Sequence, residues 1–325
     1  MSKETEAANY YSKDFEWNQL RLEIETDPSF LYHLLPFIDH QNVEKTSKDH
    51  QNVEKTSKDS VEDSQAWNKF HTCHSTGKFF KERRYLLKEF PELASCRDYS
   101  KVLEVGCGNG STALPILRAK KNIVIYACDC SSEALDRAKE NIAAANLISS
   151  EHRFCPFLCD VSTSGFPKWL ACSSCQEDAV SCNKGDFYKP FCLENSCCIG
   201  GVDLVTMIFT LSALPHNRMP IAIRECFSVL KPGGMLLFRD YGLYDMTMLR
   251  FDPEQRVGYR EYMRSDGTRS YFFSLESTRD LFASAGFTEL ELEYCCVRST
   301  NRRNGKIMRR VWVHGKFQKP KCSQS

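Results

Sequence analysis

The stretch VLEVGCGNG, from Val102 to Gly110, places three glycines directly after an apolar run. An apolar run that leads into closely spaced glycines predicts a buried strand that turns tightly into a helix. Asp129 closes the next apolar run, where its carboxylate can accept hydrogen bonds from ribose hydroxyls. A dinucleotide site needs its third glycine at position 111, which is serine here. The spacing therefore favours a nucleoside cofactor in an α/β fold over a dinucleotide.

Strand-like and helix-like patterns alternate from residue 101 onward. This alternation predicts an α/β class with a mostly parallel sheet. The glycine spacing, preceded by the acid Glu104, resembles the S-adenosyl-L-methionine loop of class I methyltransferases. That resemblance implies a Rossmann-like, seven-stranded, mostly parallel sheet flanked by helices. The strands are expected near 101–105, 123–128, a third segment ending at Asp160, 202–209, 235–240, 288–297 and 308–317.

The decapeptide HQNVEKTSKD occurs twice in tandem, at 40–49 and at 50–59. Because it is polar and offers little to bury, it predicts a flexible linker. The segment before it is aromatic, which predicts packing on the core or on a partner. The expected regions are an aromatic arm at 1–38, a repeat linker at 39–65, a methyltransferase domain at 66–320 with a cysteine-rich insertion at 162–201, and a tail at 321–325.

Eight of the 17 cysteines lie within 155–198. A four-thiolate zinc site is one interpretation, and its candidate ligands are Cys172, Cys175, Cys182, Cys192, Cys197 and Cys198. Only one C-x-x-C pair is present, and the other spacings are irregular. The pattern therefore favours a cysteine-rich loop without metal, and we predict no metal in the functional site.

Positive charge is unevenly distributed, although the formal net charge is only +1. No acid occurs from Tyr294 to Ser325, a segment that contains nine lysines and arginines. A second basic cluster lies within 78–88. Local positive fields attract anionic partners such as nucleic acid, but a solvated face or a soluble tail would look the same.

No apolar run reaches 18 residues, and the N-terminal segment is acidic without the apolar core of a secretory signal. We therefore expect no membrane partner. The expected location is the cytosol, with the nucleus left open.

Arginines, acids and aromatic residues cluster around Arg239-Asp240-Tyr241-Gly242 and the later Asp266-Gly267. Asp-Gly by itself signals a hairpin turn, and the aromatic residues by themselves could be core. Their mixture near a cofactor suits a flipped nucleobase, because rings stack while charged groups contact the base edge and phosphate. The predicted substrate-binding residues are Tyr241, Tyr244, Arg250, Arg269, Tyr271, Phe272, Arg309 and Arg310.

The motif RDYGLYD at 239–245, followed by Leu249-Arg250-Phe251 and by DGTRSYFF at 266–273, resembles the tRNA 3-methylcytidine methyltransferases of the methyltransferase-like family. The resemblance covers roughly 60–320. It implies methyl transfer from S-adenosyl-L-methionine to N3 of cytidine 32 in tRNA anticodon loops. Members of the family can depend on a partner such as seryl-tRNA synthetase or another specificity factor.

The predicted cofactor site combines the glycine turn with positions that line the cofactor in that family. Gly108 and Gly110 belong to the turn, where a side chain would collide with the cofactor. The positions implied by the resemblance are Trp67, His71, Gly106, Asp129, Asp160, Val161 and Ile208.

A mechanism follows from the chemistry of cytosine. Its N3 carries a lone pair at neutral pH, so the reaction needs positioning and stabilisation of the cationic product rather than a general base. We hypothesise that Asp240 or Asp245 supplies that negative potential, and we group Arg239 with them as a catalytic candidate.

Two other functions are compatible with parts of this pattern. A class I methyltransferase for a small metabolite would not need the basic C-terminal segment. A non-catalytic tRNA-binding scaffold would not need the intact glycine turn and Asp129, which therefore argue against it.

Overall fold

A computed structural model describes residues 13–37, 52–74, 81–147, 150–172, 197–300, 305 and 307–321. Within these ranges ten strands form two sheets. The strands are β1 (Lys101–Val105), β2 (Val124–Asp129), β3 (Phe154–Leu158), β4 (Val202–Ile208), β5 (Leu230–Tyr241), β6 (Arg256–Gly258), β7 (Glu261–Met263), β8 (Arg269–Tyr271), β9 (Thr288–Thr300) and β10 (Ile307–Gln318).

The large sheet has seven strands in the order β3-β2-β1-β4-β5-β10-β9. The first five strands in that order pair in parallel, whereas β10 pairs antiparallel with both β5 and β9. The predicted seven-stranded, mostly parallel sheet is therefore confirmed. The smaller antiparallel sheet, β6-β7-β8, was not predicted, because three-residue strands carry almost no periodic signal.

Helices cover both faces of the large sheet, as the resemblance implied. The described α-helices are α1 (Trp17–Thr26), α2 (Leu31–Leu34), α3 (Asn52–Cys73), α4 (Leu86–Glu89), α5 (Glu92–Ser95), α6 (Ala113–Ala119), α7 (Ser132–Ala144), α8 (Ser150–Arg153), α9 (Met219–Val229) and α10 (Leu275–Ser284). On one face α6 and α7 bury Ile116 and Leu135. On the other face α9 and α10 bury Ile223 and Phe282. No described helix has the length and apolar character needed to cross a lipid bilayer.

The described part of the N-terminal arm packs on the protein itself. Leu20 and Ile24 of α1 are buried in a cluster with Tyr244, Tyr262 and Phe272. The indole of Trp17 donates a hydrogen bond to the carbonyl of Leu243 at 3.1 Å. The arm thus covers the smaller sheet and the segment that follows β5.

The prediction of a flexible linker at 39–65 is wrong from residue 52 onward. Helix α3 begins at Asn52, inside the second decapeptide copy, and continues to Cys73. This segment contains no proline or glycine, and its glutamates, lysines and glutamine favour helix. Residues 40–49, the first copy, lie outside the described residues.

The predicted basic tail is largely structured as β9 and β10. Lys316 is buried and pairs with Glu92 at 2.9 Å and Glu291 at 3.1 Å. Lys319 donates to the carbonyl of Phe227 at 2.9 Å, near the C-terminus of α9. These two lysines therefore have structural roles and are not available to an anionic partner.

Candidate active site

A cavity that is partly open to solvent lies where the carboxyl ends of β1, β2 and β4 meet α3. Open α/β sheets bind ligands at this edge. Eight of the nine predicted cofactor residues line the cavity, and these are Trp67, His71, Gly106, Gly108, Asp129, Asp160, Val161 and Ile208.

Gly110 is the exception among the predicted cofactor residues. Its φ is +80°, and a Cβ built there would lie 3.4 Å from the Cβ of Ala138 in α7. This glycine therefore permits close packing against α7 rather than contact with a cofactor. Gly108 also has a positive φ of +52°, and the nearest heavy atom to a Cβ there is 3.9 Å away, on His71. The cavity wall at Gly108 is thus bare backbone.

Asp129 ends β2 with its carboxylate held by the backbone on two sides. One oxygen accepts from the N–H of Gly108 at 2.9 Å, and the other accepts from the N–H of Ser131 at 3.0 Å. Burial raises the pKa of this carboxyl, whereas His71 and these N–H groups oppose the rise. A carboxylate can accept about four hydrogen bonds, so Asp129 keeps acceptor capacity for a ligand hydroxyl.

His71 faces Asp129 from α3. Burial lowers the pKa of its imidazole, although the carboxylate of Asp129 acts in the opposite direction. A lowered pKa favours the neutral ring near pH 7. Helix α3 is held on this edge by Asn68, whose side-chain oxygen accepts from the Ser131 hydroxyl at 2.8 Å.

Asp160 lies two residues beyond the end of β3 and is fastened locally. One oxygen accepts from both the backbone N–H of Ser162 at 3.0 Å and its hydroxyl at 2.6 Å. The other oxygen lies 3.7 Å from the guanidinium of Arg218. Arg218 also forms an ion pair with Asp63 of α3, so the helix is tied across the cavity.

The residues present fit S-adenosyl-L-methionine. A buried carboxylate that keeps acceptor capacity stands where a ribose would bind, and an acid follows the neighbouring strand. Between them the wall is apolar, with Val161, Ile208 and Trp67 suited to an adenine ring. Bare glycine backbone at the turn leaves room for the methionyl part.

Arg239 does not reach the cavity, so its predicted catalytic role is not supported. The guanidinium is fully buried and forms an ion pair with Glu89, over the ring of Trp312 at 4.3 Å. Glu89 also contacts Nδ1 of His314, the β10 residue opposite Arg239, at 3.0 Å. This buried cluster joins α4 to the sheet.

Asp240 and Asp245 are also fully buried, and neither lines the cavity. Asp240 accepts from the backbone N–H groups of Ser212 at 2.9 Å and Tyr241 at 2.8 Å. Burial raises its pKa to about 6. Asp245 accepts from Nε of Arg310 and from the N–H of Val311, both at 2.8 Å. The negative potential hypothesised for these acids therefore stays a prediction. The contact that the structure shows is that of Asp240 with Ser212, beside Ala213 and Leu214, which line the cavity.

The predicted aromatic substrate residues separate into two groups. Tyr244, Tyr271 and Phe272 are buried in the core, so the structure does not support contact with a substrate. Tyr241 is half-buried, and its ring centroid lies 5.1 Å from that of Phe209, which lines the cavity.

The four predicted substrate-binding arginines lie outside the cavity lining. The guanidinium of Arg269 forms ion pairs with Asp63 at 3.1 Å and Glu261 at 3.2 Å, so acids of the same chain already balance its charge. Arg309 pairs with Glu23. Arg310 packs its guanidinium over Tyr241, with 6.0 Å to the ring centroid, and Arg250 is exposed.

Sequence reasoning missed several cavity residues. Asp63 and Ser64 were assigned to the linker, and Arg218 lies in a short helical turn without a motif. Phe209 has φ +55° beside the cavity, a strained conformation that only the structure reveals. Arg83 stacks over this ring at 5.5 Å, and its place in a basic cluster was the one available signal.

Comparison with known proteins agrees with this geometry. Residues 79–292 match the family model described as a methyltransferase domain. The tRNA N(3)-cytidine methyltransferase METTL6 of Rattus norvegicus is 37% identical over 263 residues, covering 80% of this chain and 80% of the relative. The tRNA N(3)-methylcytidine methyltransferase Mettl2 of Drosophila melanogaster is 34% identical over 78% of this chain and 70% of the relative.

A solved SAM-dependent methyltransferase from Anabaena variabilis superposes with a TM-score of 0.51 at 13% identity, over 79% of this chain and 94% of that chain. This similarity supports the class I fold alone. The sequence relatives are close enough to define the family more narrowly. The chain therefore belongs to the tRNA N(3)-cytidine methyltransferases, a family of class I enzymes that use S-adenosyl-L-methionine.

Proposed function

We propose that this protein methylates N3 of a cytidine in tRNA, at position 32 of the anticodon loop. The observation that carries the proposal is the cavity itself, with Asp129, Asp160 and bare glycine backbone at one sheet edge, in a chain 37% identical to a tRNA N(3)-cytidine methyltransferase. A loop nucleotide can leave its stack at small cost, which exposes the N3 atom.

The residues of this chain bind and orient the reactants. Bound S-adenosyl-L-methionine supplies an electrophilic methyl group. Asp129 holds the ribose side, Asp160 lies on the adenine side, and α3 covers the cavity through Trp67 and His71. The cytosine lone pair needs no base, so this arrangement works by alignment of the two reactants.

A path for the target base runs from the cavity along the ring of Phe209 to Tyr241. Arg83 lies over Phe209 at 5.5 Å, and Arg310 lies over Tyr241 at 6.0 Å. Half-buried rings flanked by arginines suit a base beside its phosphates. Of the eight predicted substrate residues, Tyr241 and Arg310 are thus the ones whose positions best support base binding.

The test is methylation of defined tRNA transcripts followed by nucleoside analysis. We expect 3-methylcytidine in a transcript with C32 and none when C32 is replaced by uridine. Tyr241→Phe keeps the ring and is expected to retain activity, whereas Tyr241→Ala is expected to lose about 1–3 kcal/mol of base stacking. Turnover of a small metabolite without tRNA would favour the rival enzyme, and failure to bind S-adenosyl-L-homocysteine would favour the scaffold.

We further propose that substrate choice involves a protein partner, either seryl-tRNA synthetase or another specificity factor. The uneven placement of positive charge supports tRNA contact but names no isoacceptor. Adding the purified synthetase to the same assay tests this, since a true partner raises methylation of serine tRNA over other tRNAs. The cytosolic location, with the nucleus left open, stays a prediction.

A further inference from the structure

The two ends of the cysteine-rich insertion are joined at its base. The N–H of Ile199 donates to the carbonyl of Trp169 at 2.8 Å, and the N–H of Gly201 donates to that of Leu170 at 2.8 Å. These bonds align the segment ending at Cys172 with the segment that begins at 197. Cysteines 25 residues apart in sequence are thereby brought together.

Three thiol sulfurs converge at this base, those of Cys172, Cys197 and Cys198. Their Sγ atoms all lie within 4.8 Å of one another, and those of Cys172 and Cys197 are 3.2 Å apart. Zinc–sulfur bonds of about 2.3 Å in a tetrahedron place sulfurs roughly 3.8 Å apart. The observed spacing brackets that value, so small side-chain rotations suffice to surround an ion.

Hydrogen-bond donors and lysines lie beside Cys198. The N–H of Gly200 donates to Sγ of Cys198 at 3.3 Å. The ammonium of Lys101 donates to the carbonyl of Ile199 and interacts electrostatically with Cys198. Lys231 pairs with Asp203 at 2.7 Å nearby, so two lysines and one acid leave a local positive excess. Cys197 is exposed, which gives an ion a path from solvent.

We propose that Cys172, Cys197 and Cys198 bind a soft divalent metal ion, with zinc as the expected species, that fastens the ends of the insertion. Binding forms three metal–sulfur bonds and releases one proton from each thiol to water or buffer. A disulfide between Cys172 and Cys197 would leave the third converging sulfur unused. The geometry thus revises the interpretation from spacing alone, which favoured a metal-free loop.

The site is separate from the active-site cavity, because none of the three cysteines lines it. Its test therefore does not depend on the proposed methylation. The full-length chain is purified under reducing conditions, and its metal content is measured by mass spectrometry. The stripped chain is then titrated with Co²⁺, whose thiolate charge-transfer band reports sulfur ligation. We expect one ion per chain and a band whose intensity fits three thiolates.

Matched serine variants decide the assignment. Cys197→Ser changes an exposed side chain and is expected to fold, yet to lose most of the band and at least tenfold in metal affinity. Cys155→Ser, a half-buried cysteine of β3, is the control and should keep both. Chelation should lower the melting temperature of the parent and the control but not of Cys197→Ser. Unchanged metal binding in Cys197→Ser, no ion bound by the parent, or a Cys172–Cys197 disulfide under these conditions would overturn the proposal.

Discussion

Glu104 provides a sharp test of the electrostatics beneath the glycine turn. It lies in β1, its side chain is buried, and its Oε2 has no hydrogen-bond partner among the described residues. Burial raises the pKa of this carboxyl from 4.5 to about 8, although Arg83 and a hydrogen bond to Thr112 oppose the rise. Glu104 is therefore largely protonated at pH 7.

A raised carboxyl pKa makes the fold less stable as pH increases. Between the unfolded and folded pKa values the folded state binds more protons than the unfolded state, so the free energy of unfolding falls with pH. The stability lost by ionising this carboxyl is absent at pH values below its unfolded pKa of 4.5 and is complete above about pH 8. It amounts to about 3 kcal/mol at pH 7 and about 5 kcal/mol above pH 8.

The substitution Glu104→Gln removes this titration while keeping the shape of the side chain. Its amide places N–H groups where the carboxyl oxygen lacks a partner, which costs about 1–2 kcal/mol at every pH. We expect the parent to be more stable near pH 5 and the variant to be more stable near pH 9, with the two curves crossing between them. Urea unfolding of the cofactor-free protein at several pH values measures the difference.

The decisive quantity is how the difference in free energy of unfolding between parent and variant changes with pH. The destabilisation by the amide is the same at every pH, so it cancels from that change. Glu140→Gln is the matched control, since Glu140 is an exposed residue of α7 paired with Arg137 at 3.0 Å. Its curve should run parallel to that of the parent. Parallel curves for Glu104→Gln as well would refute the argument that burial keeps this carboxyl protonated.

Three further substitutions test other contacts. Asp129→Asn should weaken binding of S-adenosyl-L-homocysteine by about tenfold to a hundredfold, because it removes a charged acceptor from the ribose side, and should also lower the melting temperature, because one backbone N–H loses its acceptor; unchanged calorimetric affinity in the folded variant would contradict that assignment. Glu89→Gln should lower the free energy of unfolding by about 3–5 kcal/mol, because it leaves buried Arg239 without its counter-charge, and chemical denaturation would show a smaller loss if water reaches the site. Asp63→Asn should release α3 from Arg218 and Arg269 and weaken cofactor binding while the fold stays intact, so equal affinity in parent and variant would show that α3 is held by other contacts.

Local signals predicted the strand–turn–helix unit and the cofactor acids well. The turn needs positive φ values, which Gly106, Gly108 and Gly110 adopt, and the apolar run before it forms the buried strand β1. Asp129 follows a buried strand directly, and parallel strands all end at one edge. The few residues on either side of such an acid determine where it lies, and a sequence pattern can detect that local context.

Long-range contacts were beyond that range. Helix α3 covers the cavity because Asp63 meets Arg218 and Arg269, partners 155 and 206 residues away. Nothing in the polar sequence of 39–65 indicates these pairings, so this segment was predicted to be a linker. The same limit applies to Cys172 and Cys197, whose proximity depends on backbone bonds at the base of the insertion.

Asp240 and Asp245, at and beyond the end of β5, show that a position near a strand end does not by itself place an acid in the cavity. Asp129 and Asp160 end or follow strands with parallel neighbours, and both line the cavity. Strand β5 pairs in parallel with β4 on one side but antiparallel with β10 on the other, and β10 opposes Tyr241 with Trp312 and continues beyond it through Val311 to Ile307. That extension covers the end of β5 and supplies the N–H of Val311 to Asp245. Asp245 is thus paired with β10, and Asp240 is paired with the N–H groups of Ser212 and Tyr241. An acid near a strand end at this edge can therefore bind backbone groups outside the cavity, and only the tertiary contacts reveal which acids do so.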